Sequence, residues 1–87
     1  MEWNGNIISG AFDDANNEFS IKSIKHFSTE STLNPNQLNQ LYTYLDKHKD
    51  ESDGQIVTLY DQLLVRLSQD EIKQLIDDLN HVKDLYQ

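Results

Sequence analysis

Apolar positions in the second half of the chain recur at helical intervals. Leu38, Leu41, Tyr42 and Leu45 fall at i, i+3, i+4 and i+7, one face of a helix. Asn34-Pro35-Asn36-Gln37 precedes them and reads as a helix start. Asn34 suits the cap, Pro35 the first helical position and Gln37 the reciprocal place of a capping box. The apolar pattern fails at Asp46-Lys47-His48-Lys49-Asp50-Glu51, so the spacing predicts a helix over about 35–48.

Ser52-Asp53-Gly54-Gln55 gives a second start signal. Ile56, Val57, Leu59, Tyr60, Leu63, Leu64 and Leu67 follow, and at 100° per residue they cover roughly 160° of a helix. A central, doubly packed helix over 53–67 is predicted, with Val65 on the opposite, exposed side. Ser68-Gln69-Asp70-Glu71 is the strongest cap in the chain, because Ser68 and Glu71 reciprocate and both acids sit where the helix dipole favours them. A third helix over 69–86 then carries Ile72, Leu75, Ile76, Leu79, Val82 and Tyr86 near heptad a and d positions. A sharp corner between the last two helices follows from the missing loop.

The first third is ambiguous. Asn4-Gly5 and Asp13-Asp14-Ala15-Asn16-Asn17 are turn formers, and Phe19 and Ile21 alternate before the register breaks. A β-hairpin of about 6–12 with 18–24 is the favoured reading. The rival is a fourth helix over about 13–27, capped by Asp13. Ser28 to Asn34 reads as a polar connector. The expected fold is a mainly α, three-helix single domain over 1–87, with an N-terminal hairpin or fourth helix. Its core is Phe19, Leu38, Leu41, Leu45, Ile56, Leu59, Leu63, Leu67, Ile72, Leu75, Ile76 and Leu79. Eighty-seven residues fit one domain, whose stability is expected at ~3–6 kcal/mol.

Charge changes the picture more than length does. Fifteen acids against seven bases give a net charge of −8. Such a field repels phosphate backbones and anionic lipid, and it favours a partner with a basic surface. The expectation is therefore a protein partner, with no direct nucleic-acid and no membrane contact. Asn, Ile, Lys and Tyr, read from AT-rich codons, total 25 residues, while Gly, Ala, Arg and Pro total 7. That bias points to a low-GC bacterium or to a phage or mobile element within one. There are no cysteines, and the first nine residues lack the basic and apolar regions of a secretory signal, so the expected compartment is the cytoplasm.

Candidate chemistry is sparse. His26, His48 and His81 are too far apart in sequence for a local metal motif, although His81 has Asp77, Asp78 and Asp84 within one turn. Placing Gly54 at the sixth position of a calcium loop puts Lys49 and Tyr60 at its first and last, which rejects that motif. The acid pairs Asp13-Asp14, Asp50-Glu51, Asp70-Glu71 and Asp77-Asp78 fall in turns or on polar helix faces, where water screens them. No phosphate loop or nucleophile elbow is present. The sequence predicts no catalytic residue, no metal and no cofactor, and hence a protein that is not an enzyme.

The remaining candidate is the last helix. Asp70, Asp77 and Asp84 repeat every seven residues, widened by Glu71 and Asp78, with Tyr44 and Val65 expected exposed nearby. These seven residues are the predicted partner-binding set. The leading function is a small acidic protein-binding module, an inhibitor or regulator of a host protein. A nucleic-acid mimic is one alternative, with the acids standing for phosphates. A self-associating subunit is a second, with the heptad seam pairing two copies. The basic-aromatic run Lys22 to Phe27 supports a weaker nucleic-acid-binding reading.

Overall fold

The chain begins with a meander. Strands β1 (Glu2–Asn4), β2 (Ile8–Asp13), β3 (Glu18–Ile24) and β4 (Phe27–Leu33) form one antiparallel sheet in the order β1-β2-β3-β4. Helix α1 (Pro35–His48) follows, then a second hairpin of β5 (Gln55–Thr58) and β6 (Leu64–Leu67), then helix α2 (Gln69–Lys83). The computed structural model describes residues 1–59 and 63–87. Among the described residues 37% are strand and 35% helix, so the expected mainly α domain is corrected to a mixed α/β one. Tyr60, expected in the stripe of a second helix, lies outside the described residues.

The hairpin expected near 6–12 and 18–24 forms as β2 with β3, and the rival helix over 13–27 does not. Its loop is held by Asp13, whose Oδ1 accepts from the backbone N–H of Ala15 and Asn16, and by Asn17 in the left-handed region at φ 54°. The break in alternation after Ile21 has a physical cause. The register shifts between Ile21 and Ser23, so Lys22 is bulged. The extra residue resets the pleat, and Phe19, Ile21 and Ile24 all turn inward and are fully buried. Opposite the bulge, a Cβ on Gly10 would lie 1.9 Å from the Ser20 carbonyl oxygen, which is why the position needs glycine.

Residues 28–34, expected as a connector, contribute most of strand β4. Their Ser/Thr composition hides the alternation, because the inward positions are the small Ser31 and the buried Leu33. On the outward face Ser20 meets Thr32, and Lys22 pairs with Glu30 at 2.7 Å.

Helix α1 has the expected bounds and capping box: the Asn34 side chain accepts from Gln37 N–H and Gln37 returns the bond. The predicted helix over 53–67 is overturned. Its apolar residues divide between two strands in the register Ile56↔Arg66, Val57↔Val65 and Thr58↔Leu64. A run that is apolar around much of a helix also alternates as a strand, and the β-branched Ile56-Val57-Thr58 favour the strand. The alternation sends Val57, Leu59, Val65 and Leu67 inward and Ile56 and Leu64 outward. Gly54, at φ +73° with its backbone against the Leu67 carbonyl, starts the hairpin.

The Ser68–Glu71 capping box is present, but it ends a strand, so the expected helix–helix corner does not exist. Helix α2 stops at Lys83, three residues short of the expected end. Tyr86 instead packs edge-on against Phe12 and donates to the Leu33 carbonyl at 2.7 Å, tying the last residues to the sheet. Ile72, Leu75, Leu79 and Val82 are fully buried in one cluster with the sheet and α1. Most of the heptad seam therefore faces this chain's own core. No helix among the described residues is long and apolar enough to cross a membrane.

Candidate partner-binding surface

The predicted acidic stripe does not survive as a unit. Asp78 is buried at 1% exposure. Its Oδ1 accepts from Asn6 N–H at 2.7 Å, and its Oδ2 accepts from Ile7 N–H at 2.7 Å and Ile8 N–H at 3.1 Å. Three successive backbone donors form a concave nest, and this side chain fills it from a helix 70 to 72 residues away. A Cβ on Gly5 would sit 2.5 Å from the Asp78 carboxyl, so glycine there is part of the same clasp. The Asp78 carboxyl is thus engaged with this chain's own backbone and not displayed on the surface.

Glu71 is likewise engaged. It accepts from the Ser68 N–H and pairs with Lys25 at 3.1 Å. The Ser68 backbone bond first, and then the Lys25 contact, hold its carboxyl below the ordinary value. Lys25 also donates to the Arg66 carbonyl at 2.9 Å, so its side chain binds the β3–β4 turn to β6 and α2. Asp77 is exposed and accepts from the Asn6 amide at 3.2 Å, with His81 3.9 Å away. Asp70 and Asp84 are exposed at the two ends of α2. Val65, expected on the surface, is fully buried opposite Val57.

Tyr44, predicted beside the acids, lies instead beside a groove. It is 39% exposed on α1, where its hydroxyl donates to Gln55 Oε1 at 2.8 Å and its ring packs on His48 at 4.7 Å. His48 contacts Glu51 at 2.7 Å, and the Gln55 amide returns to Glu51. Tyr44 also lines that groove, of about 330 Å³. Gln40, Leu41 and Tyr44 of α1 form one wall, and residues 56–59 form the other. Ile56 in that wall is 49% exposed and Leu64 is 63% exposed, two large aliphatic side chains on the outer face of the hairpin.

The sequence hides this face because a helical stripe over 53–67 places Ile56 in the core. Reading residues 55–58 and 64–67 as alternating strands would have exposed it, since Ile56, Thr58, Leu64 and Arg66 then share one side. The titratable group lining the groove is the Tyr44 phenol, already bonded to Gln55. Its walls can desolvate apolar side chains and exchange hydrogen bonds. No cluster of three metal-ligating side chains occurs among the described residues. Comparison with family models, with curated proteins and with solved structures finds no match to this chain.

Proposed function

We propose that this chain is a small acidic protein-binding module without catalysis, that it docks through the face formed by α1 and the β5–β6 hairpin, and that its partner presents a basic surface. The observation that carries the reading is the pair of exposed aliphatics, Ile56 and Leu64, beside the half-exposed Tyr44 and the groove. Apolar side chains grouped beside a concavity mark interaction surfaces, whereas isolated ones do not. Tyr44 adds ring area with a polar tip, the combination favoured at interface centres. The net charge of −8 supplies the electrostatic half, speeding encounter with a basic protein. Together with the codon bias, this suits an inhibitor or regulator of a host protein in a low-GC bacterium, acting in the cytoplasm.

A phosphate mimic is less well supported, because Asp78 and Glu71 serve the fold and leave Asp70, Asp77 and Asp84 as the open acids of the stripe. The test is affinity capture from lysate of a low-GC Gram-positive bacterium with three proteins: parent, Ile56→Lys with Leu64→Lys, and Asp70→Asn with Asp77→Asn and Asp84→Asn. The reading expects a basic protein captured by the parent and by the Asn variant and lost from the Lys variant. The reverse pattern would transfer the site to α2.

A further inference from the structure

The β5–β6 ladder determines which backbone groups face the groove. Leu59 N–H donates to the Leu63 carbonyl at 2.9 Å, which makes Leu59 and Leu63 a hydrogen-bonded pair. Antiparallel pairs alternate, so Val57↔Val65 and Gln55↔Leu67 are hydrogen-bonded, while Ile56↔Arg66 and Thr58↔Leu64 are not. The N–H and C=O groups of Ile56 and Thr58 therefore point away from β6, and those of Arg66 and Leu64 point away from β5. The outer edge of β6 is already engaged, since the Arg66 carbonyl accepts from Lys25 Nζ. The outer edge of β5 faces the groove, and its Ile56 and Thr58 backbone groups meet no partner among the described residues. Proteins usually blunt such an edge with Lys, Pro or a bulge, and Gln55-Ile56-Val57-Thr58 has none of these.

We infer that β5 is an acceptor strand: an extended, lysine- or arginine-bearing segment of a partner protein adds to its outer edge, lying in the groove beside α1. This rests on the protein-binding reading and specifies how the partner is held. Main-chain bonds to Ile56 and Thr58 supply the attachment, and alternate side chains of the incoming strand enter the groove over Leu41 and Tyr44. Charge selects the occupant. Between the last turn of α1 and the start of β5, Asp46, Asp50, Glu51 and Asp53 stand against Lys47 and Lys49, and Lys49 is bound to Asp46. A second copy of the chain, itself at −8, is repelled from the same edge.

The probe is a fluorescein-labelled synthetic peptide of alternating lysine and valine, followed by fluorescence polarisation with the full chain at physiological salt. A second peptide carries N-methyl groups on one edge. Thr58→Pro removes an N–H that the hairpin does not use, and circular dichroism verifies its fold. The expected results are binding of the first peptide and a loss of about tenfold or more with either N-methylation or Thr58→Pro, from lost edge hydrogen bonds and the intruding ring or methyl. Asp70→Asn with Asp77→Asn and Asp84→Asn should leave binding within about twofold, since screening confines charge effects to roughly a Debye length. Equal binding of the methylated and unmethylated peptides overturns strand addition, as does no binding by the parent. Loss with Ile56→Lys but not with N-methylation would retain the docking face and remove only this inference. Loss with the Asn variant alone would remove both.

Discussion

Replacing Asp78 with alanine should unfold much of this protein. The carboxyl oxygens accept three backbone N–H bonds, at 2.7, 2.7 and 3.1 Å, and two of the three bonds are wholly buried. Truncation leaves the Ile7 and Ile8 donors facing a void. At about 1–3 kcal/mol for each buried donor left unsatisfied, the loss is about 2–6 kcal/mol. That range matches the ~3–6 kcal/mol expected for the whole domain, so Asp78→Ala sits at the edge of foldability. Asp78→Asn keeps the shape but turns an NH2 toward backbone donors, and it should fall between alanine and the parent. Asp77→Asn, one residue away on the exposed side, is the control and should lie within about 0.5 kcal/mol of the parent. Urea unfolding followed through Trp3, which packs edge-on against Phe19, reads all three. With a slope near 1 kcal/mol/M, Asp78→Asn should lower the midpoint by about 1–3 M. Equal midpoints for the position 77 and position 78 variants would refute the clasp.

Three other outcomes follow from the same packing. Val65→Asp should destabilise by more than about 3 kcal/mol, because Val65 is fully buried, whereas Ile56→Asp on the outer face should change thermal stability little; the opposite order would restore the helix expected over 53–67. Glu71 is held below its ordinary value of 4.5, so its contribution is present above that pH and disappears as pH falls through its lower folded value; a urea-midpoint profile on the acid side should be shallower for Glu71→Gln, and superimposable profiles would count against it. Tyr86 is pushed up to about 12 by burial, so the folded state keeps its proton longer and stability falls as pH rises from 10 toward 12; Tyr86→Phe should lose about 0.5–1.5 kcal/mol at neutral pH and flatten that alkaline decline in a thermal-melt series.

Local signals in the chain read correctly where local interactions decide the structure. The Asn34–Gln37 and Ser68–Glu71 capping boxes each close within four residues, and both helices start where those caps put them. The hairpin of β2 and β3 was legible from its turn formers and from alternation up to Ile21, and the break there marked the Lys22 bulge. Residues 55–67 failed because their apolar positions satisfy a wide helical stripe and two short strands alike, and packing against the core selected the strands. That one misreading buried Ile56, exposed Val65 and hid the candidate docking face. Asp78 was illegible for a different reason. Its neighbours Asp77 and Asp84 are solvated, and its own partners lie at positions 6–8, a separation that no periodicity reports.

The proposed partner docks on the α1–β5 face and not on the acidic side of α2. Amide hydrogen–deuterium exchange of the full chain, with and without its captured partner, tests it most directly. New protection confined to residues 40–44 and 55–58, with Ile56 and Thr58 changing most, is the expected result. Protection gathered at residues 70–84, with 55–58 unchanged, would contradict it.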